Sequence, residues 1–88
     1  MWQTVELRDL LLGVRPESIR LADSGTPAEV KAIEYLGAET MIEANLAGAS
    51  VLARLSGRPP CRAGDRVHLT WPAETAHWFD MSTGRRID

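Results

Sequence analysis

The residues of this chain that could hold a metal ion are its two histidines, His68 and His77. A structural zinc site typically shows cysteine and histidine ligands in closely spaced pairs along the sequence. The two histidines are far apart, and no cysteine accompanies either of them in such a pair. In the segment DRVHLTW, strand alternation places His68 on the solvent side beside Arg66. We therefore predict a solvated His68 and no metal site.

A second candidate for chemistry is Cys61, which is the only cysteine and lies in PPCRAG. The neighbouring Arg62 could lower the pKa of the thiol and favour the reactive thiolate. A nucleophilic cysteine also needs a base positioned beside it, and the sequence shows no organised histidine partner. None of the serines lies in a nucleophile elbow. The glutamates show no acid/base pair and are predicted to be solubilising surface groups: Glu17, Glu34, Glu39, Glu43 and Glu74.

Nucleotide binding has a recognisable sequence signature, which this chain lacks. It contains neither G-x-x-x-x-G-K-[ST] nor G-x-G-x-x-G after a strand. We therefore expect no nucleotide site and no cofactor on this chain, and no enzymatic activity of its own. The formal net charge of -2 and the lack of a basic groove argue against a nucleic-acid partner. The aromatic residues are instead expected to pack in the core or at an interface.

The size of the chain suits one compact domain, because 88 residues lie within the range of a single hydrophobic core. Such a chain buries only about 60% of its unfolded surface, so a neighbouring domain or a second copy would help to stabilise it. A single cysteine forms no internal disulfide and fits a cytosolic setting. We find neither an apolar run of about 20 residues nor a signal peptide, since Glu6, Arg8 and Asp9 occupy the start.

Alternation of apolar and polar residues predicts strands through the middle of the chain. TMIEANLAG and SVLARLS flank a turn at Gly48 and are predicted to form a hairpin, and DRVHLTW forms a further strand. A loop is predicted between SVLARLS and DRVHLTW, at SGRPPCRAGD. The last segment, AHWFDMSTGRRI, is predicted to form a short strand, a turn at Gly84 and another short strand. The predicted inward positions are Ile42, Ala44, Leu46, Val51, Ala53, Leu55, Val67, Leu69 and Trp71.

Three further segments complete the prediction. LLGVRPESIRLA is expected to form a strand, a corner at Pro16 and a second strand, with Gly13 allowing close backbone approach at the corner. WQTVELRDL is compatible with a helical turn or with a strand that buries Val5 and Leu7. GTPAEVKAIEYLGAE carries helix signals, namely a capping box from Thr26 to Glu29 and apolar residues at helical spacing.

Three motifs in order carry a resemblance to a known family. They are Leu-Gly-Val-Arg-Pro-Glu at residues 12–17, Glu-Tyr-Leu-Gly-Ala-Glu at 34–39, and His-Trp-Phe-Asp at 77–80 before Thr83 and Gly84. Together they resemble the TOBE region of ABC-importer ATPase subunits, in particular the sugar and glycerol-phosphate importers. Trp78 replaces the leucine usual in the third motif. The resemblance implies a small all-β, OB-like barrel or sandwich of about five to six short antiparallel strands, in which Glu29 to Leu36 form a strand rather than a helix.

The resemblance also implies an organisation and a function. Residues 11–88 would form the TOBE-like domain and residues 1–10 an N-terminal extension or edge segment, with missing strands that a second copy could complete. The implied function is a non-catalytic regulatory and dimerisation domain of an importer ATPase subunit, cytoplasmic and peripheral to the inner membrane. Its partners would be a second copy, the ATPase domain and the permease. The candidate contact residues are Arg15, Glu17, His77, Trp78, Phe79 and Asp80, although the same six residues could simply stabilise the fold.

The alternative function is a stand-alone binder of an oxyanion such as molybdate, as in some TOBE-like domains. Such a site needs clustered backbone N–H groups or a set of serine, threonine and basic side chains. The sequence offers two short segments of this kind, at residues 56–58 (Ser-Gly-Arg) and 83–86 (Thr-Gly-Arg-Arg).

Overall fold

The computed structural model describes residues 2–87, and within them the chain folds into eight β-strands without an α-helix. Two single 3-10 turns interrupt the strands, a first one at Pro16–Ser18 and a second one at Ala73–Thr75. The strands are β1 (Gln3–Leu7), β2 (Leu10–Val14), β3 (Arg20–Ala22), β4 (Thr26–Leu36), β5 (Glu39–Leu46), β6 (Ala49–Ser56), β7 (Arg66–Thr70) and β8 (Ala76–Asp80).

The strands form two antiparallel sheets, which confirms the all-β, OB-like class. One sheet has the order β1–β2–β8 and the other the order β3–β7–β4–β5–β6. The described residues thus divide into more strands than the five or six expected, because the corner at Pro16 and the N-terminal segment contribute separate short strands. β1 is the edge of the three-stranded sheet and pairs with β2 over its whole length.

The hydrophobic core lies between the sheets and is built by the predicted alternation. Ile42, Ala44 and Leu46 of β5 are all at most 2% exposed, as are Val51 and Ala53 of β6. Leu69 of β7 is buried, while Leu55 of β6, Val67 of β7 and Trp71, which follows β7, are partly buried against the core. The three-stranded sheet adds Val5, Leu12 and Val14 from the opposite side, so the N-terminal segment is a strand and not a helical turn.

The helix signals at residues 26–37 are overridden by pairing on both sides of β4. β4 pairs with β5 along one edge and with β7 along the other, and it carries a bulge between Val30 and Ala32. The loop after β6 docks at this bulge, because the Val30 N–H donates to the Asp65 carbonyl at 2.9 Å and the Gly64 N–H donates to the Val30 carbonyl at 2.7 Å. A helix in this segment would lose both ladders, and tertiary pairing outweighs its local propensity.

The corner at Pro16 has the predicted strand, turn, strand form, but the role expected for Gly13 is wrong. Gly13 lies within β2, where a Cβ atom would meet Phe79 Cε2 at 3.5 Å and the His77 carbonyl at 3.7 Å. These are ordinary van der Waals contacts, so the corner does not require this glycine. Gly25 between β3 and β4 is different, since its φ is 145° and a Cβ atom would lie 2.6 Å from the Leu69 carbonyl oxygen.

The C-terminal segment forms one strand rather than two. After β8 the chain turns through Gly84, and the return segment contributes only an isolated bridge between Arg86 and Phe79. Backbone hydrogen bonds from Asp80 N–H to the Arg85 carbonyl (2.8 Å) and from Ile87 N–H to the Trp78 carbonyl (3.0 Å) hold it against the edge of β8.

The gap between β1 and β6 is joined by one side chain. The Gln3 amide donates from Nε2 to the Leu52 carbonyl at 2.6 Å, and Oε1 accepts from the Leu52 N–H at 2.9 Å. The first 3-10 turn also lies against β6. We call the contact between Gln3 and Leu52 the seam. The seam and the first 3-10 turn give the free edge of β6 partners within the same chain.

Candidate functional site

The six candidate contact residues lie on two adjoining elements. Arg15 and Glu17 belong to the corner at Pro16, and residues 77–80 form most of β8. The antiparallel register of β2 and β8 pairs Gly13 with His77 and Val14 with Ala76, so the start of β8 lies beside the corner. The structure therefore brings Arg15 close to His77, as a shared contact surface would require.

The four residues of the His-Trp-Phe-Asp motif do not share one face. Successive strand residues point to opposite faces of the sheet. Trp78 follows the parity of buried Ala76 and packs against the core, whereas His77 and Phe79 lie on the outer face. Among these four residues, His77 and Phe79 therefore lie on the outer face, while Trp78 lies on the core side.

A stack of three side chains occupies the outer face at the corner. The Arg15 guanidinium carbon lies 4.7 Å from the centroid of the Trp2 ring, and the Trp2 and His77 rings are 5.2 Å apart at 40°. We call these three residues the corner stack. It borders a shallow cavity of about 290 Å³, which Ser18, Glu74 and Thr75 also line.

Sequence reasoning missed Trp2, although a signal was present. Val5 and Leu7 alternate with polar residues, so the same alternation places Trp2, Thr4 and Glu6 on the outer face. Trp2 is 47% exposed, and a cation–π contact with Arg15 holds it in place. Glu17 is exposed and does not line the cavity beside the stack.

Asp80 organises the turn that follows β8. Its Oδ1 accepts hydrogen bonds from the Ser82 hydroxyl at 2.6 Å, the Ser82 N–H at 2.8 Å and the Thr83 N–H at 3.3 Å. These donors stabilise the carboxylate and lower the pKa of Asp80. The turn is further tied to β1 and β2, because the Met81 N–H donates to the Asp9 carbonyl at 3.0 Å. Asp80 therefore shapes the backbone around the candidate surface.

The surroundings of Cys61 do not favour the reactive thiolate that a neighbouring Arg62 could have stabilised. The thiol is partly buried against the core, and this burial, followed by the charge of Asp65, raises its pKa. Arg62 does not offset these effects, so the Cys61 thiol is protonated near neutral pH. His68 is exposed, as predicted. Between residues 2 and 87 no three His, Cys, Asp or Glu side chains are grouped as metal ligands, and no helix there is long and apolar enough to cross a bilayer.

The two segments suggested for an oxyanion site lie at opposite ends of the molecule. Ser56 pairs with Glu39 at one end of the β5–β6 hairpin, and the Arg58 guanidinium stacks on Tyr35 at 4.5 Å from the ring centroid. Residues 83–86 follow β8, whose last residue Asp80 pairs with Leu10 near the other end of that hairpin. An eight-residue strand spans about 25 Å, so the two segments do not form one anion site.

These features define a small OB-like β-barrel module with an aromatic and charged outer corner. The model of the TOBE domain family matches residues 12–79, and the chain belongs to this family. This confirms the resemblance found in the three motifs.

The chain is similar to parts of longer transport proteins. It is 42% identical over 81 residues to the sn-glycerol-3-phosphate import ATP-binding protein of Ralstonia nicotianae, covering 89% of this chain and 22% of the relative. It is 40% identical over 84 residues to the protein of the same name from Cereibacter sphaeroides, covering 91% of this chain and 24% of the relative. An uncharacterized ABC transporter ATP-binding protein of Sinorhizobium fredii is 39% identical to this chain over 79 residues, covering 90% of this chain and 21% of the relative. The chain thus spans between a fifth and a quarter of the length of these relatives.

Proposed function

We propose that this chain is a regulatory and dimerisation module of an ABC-importer ATPase subunit for glycerol phosphate or a carbohydrate. The observation that carries the proposal is the pattern of coverage. About nine-tenths of this chain matches about a fifth of each ATP-binding relative, and the match contains the TOBE domain. That pattern is typical of an accessory module joined to a larger catalytic domain, here at its C-terminal side.

The proposed work of the module is binding rather than catalysis. The sequence holds no nucleotide-binding loop, so ATP hydrolysis would belong to the rest of the parent subunit. The module would hold two subunits together through matching surfaces related by a twofold axis. Through the parent subunit it would lie on the cytoplasmic side of the inner membrane, next to the permease.

The corner stack is the surface we assign to this contact. Tryptophan and arginine dominate the binding energy of protein interfaces, and here Trp2 is about half exposed while Arg15 is stacked on its ring. A pre-ordered aromatic side chain loses little conformational entropy when a partner covers it. His77 supports the stack from β8, the strand that also carries Phe79 on the same face.

The proposal is tested by a chimeric importer. The matching segment of the Ralstonia nicotianae relative is replaced by this chain, and glycerol-3-phosphate uptake is measured in cells that carry the remaining subunits. We expect uptake well above that of the relative truncated before this segment. A chimera that assembles with the permease but transports no better than the truncated protein would refute the module role.

The contact surface is tested separately with matched variants. Trp2→Ala and Tyr35→Ala each remove an aromatic ring that is about half exposed, at 47% and 49%. In light scattering after size exclusion across a dilution series of the chimeric subunit, Trp2→Ala should shift the dimer toward monomer, and Tyr35→Ala should not. Equal effects of both variants would remove the corner stack from the interface.

A further inference from the structure

A second open site lies at the end of the barrel that carries the β1–β2 and β5–β6 turns. We call it the barrel-end cleft; its volume is about 510 Å³. It lies at the opposite end of β1 and β2 from the corner stack, because Leu7 pairs with Leu10 there whereas Gln3 pairs with Val14 near the corner. Its lining residues are Leu7, Arg8, Leu10, Thr26, Leu46, Ala47, Trp71 and Trp78.

The lining of the cleft is mostly apolar and contains two indole rings from different sheets. Trp71 follows β7 and Trp78 lies on β8, and both are partly buried. Leu7, Leu10 and Leu46 also line the cleft. Pockets for small organic molecules typically have about 300–1,000 Å³ of volume and an apolar, aromatic lining with a few polar groups. The cleft has this character, and the indole rings of Trp71 and Trp78 belong to its lining.

Charge at the cleft is of one sign. Among residues 2–87, Arg8 is the only charged residue in the lining, and it is exposed. Among residues 2–87 the ion pairs are Lys31–Glu29 and Arg54–Glu39, so the Arg8 guanidinium has no carboxylate within 4.0 Å. Because none of the lining residues within the described part of the chain is acidic, the cleft is complementary to an anion with an apolar body.

Two hairpin turns contribute to the lining of the cleft. Among the described residues only Arg8 and Ala47 combine a side chain with a positive φ, at 57° and 53°. Both are turn residues, one between β1 and β2 and the other between β5 and β6, and both line the cleft. Each turn joins its strands through two residues, 8–9 and 47–48, and two-residue hairpin loops require a positive φ at their first position, so the turns set this conformation. The same two residues also line an adjoining polar groove of about 500 Å³ with Thr4, Glu6 and Ser50.

We propose that the barrel-end cleft binds a small amphipathic carboxylate. Its apolar, ring-sized body lies between Trp71 and Trp78, and its carboxylate accepts paired hydrogen bonds from the Arg8 guanidinium. Guanidinium and carboxylate groups have matching planar geometry, which makes the charged contact directional. This inference goes beyond the proposed dimerisation role and does not depend on it.

The experiment uses the whole chain and two probes that differ only in charge. Sodium 4-phenylbutyrate and neutral 4-phenylbutyramide have the same size and the same apolar group. Each is titrated into ¹⁵N-labelled protein, and backbone and indole N–H shifts are followed. We expect the acid to bind with a dissociation constant of about 1 mM, as is typical of a ligand of this size, and to shift the indole N–H signals of Trp71 and Trp78. The amide should bind about fivefold or more weakly, since it lacks the charge-assisted contact.

Variants then assign the charge to one residue. Arg8→Gln should weaken binding of the acid about fivefold and leave binding of the amide unchanged. Arg8→Gly, which suits the positive φ, should do the same and serves as the second variant if the glutamine protein folds poorly. Arg20→Gln, at an exposed arginine on β3 outside the cleft, is the matched control and should leave the affinity for the acid unchanged. Equal affinity for acid and amide, shifts confined to other residues, or equal effects of the Arg8 and Arg20 variants would each overturn the proposal.

Discussion

Gln3 offers the most direct test of how this barrel closes. Its side-chain amide makes both hydrogen bonds of the seam, one to the Leu52 carbonyl and one from the Leu52 N–H. A hydrogen bond of this kind contributes about 0.5–1.5 kcal/mol, and water can replace it when the partners are exposed. We therefore expect Gln3→Ala to lower the free energy of unfolding by about 1 kcal/mol, which corresponds to a Tm decrease of about 4–8 °C for a domain of this size.

Gln3→Glu separates the hydrogen bonds from the packing of the side chain. A glutamate keeps the length of glutamine but replaces the donor at Nε2 by a second acceptor, which faces the Leu52 carbonyl. Repulsion between the carboxylate and this carbonyl raises the pKa of the introduced carboxyl in the folded state. Its protonated form can donate to the carbonyl. The variant should therefore be less stable than Gln3→Ala at pH 7 and recover relative to it as the pH falls through the raised pKa.

The assay is urea denaturation of wild type and variants at pH 7 and pH 4, followed by tryptophan fluorescence. Thr4→Ala is the matched control, because Thr4 is the next residue of β1 and is exposed on the outer face. The control should change stability by no more than roughly 0.5 kcal/mol. If Gln3→Ala costs no more than the control, or if Gln3→Glu shows no recovery at pH 4, the hydrogen bonds of the seam do not stabilise the fold.

Three further predictions follow from the turns and the cysteine. Ala47→Gly should raise the Tm by about 2–4 °C, because relief of the positive φ exceeds the entropy cost of glycine by about 0.5 kcal/mol, whereas Ala49→Gly in β6 should lower it. Iodoacetamide should alkylate Cys61 more slowly than free cysteine at pH 8, and Asp65→Asn should speed the reaction by removing the charge that helps to raise the thiol pKa. Asp80 has a lowered pKa in the fold, so its stabilising effect is present above the unfolded pKa of about 3.9 and is lost as the pH falls toward its folded value. Asp80→Asn should therefore flatten the acid limb of the Tm-against-pH curve measured by calorimetry.

The sequence predicted the fold well where one face of a strand is buried. Alternation in β5 and β6 identified Ile42, Ala44 and Val51 as inward residues because burial on one face imposes a period of two. The segment from Thr26 to Leu36 could not be predicted in this way, since its capping box and apolar spacing favour a helix locally. The decisive contacts are with β5, β7 and the loop at Asp65, which are distant in sequence. Only the resemblance to a family supplied that information.

The candidate surface was predicted less completely than the fold. The motif at residues 77–80 suggested one contact patch, yet the same alternation that identified the core sends Trp78 inward and His77 outward. Trp2 was overlooked because the motifs begin at Leu12. The β1–β2 register pairs Gln3 with Val14, so Trp2 lies opposite Arg15 at the corner. The role of Asp80 depends on three donors from Ser82 and Thr83, and this arrangement becomes visible only when the turn has formed.

The closure of the barrel also limits how two copies could associate. Missing strands would leave open edges, and a second copy would then complete the sheet by strand addition. In the described residues the edge of β6 is instead met by Gln3 and the first 3-10 turn, and β8 is flanked by residues 85–87. β3 at the remaining edge of the larger sheet has only three residues, which is too short for a stable added strand. The proposed dimer would therefore form through side chains, and the outer face bearing the corner stack provides an aromatic and a cationic group for such a contact. Backbone amide exchange at Leu52 should accordingly be unchanged between monomer and dimer, whereas strand addition at β6 would slow it.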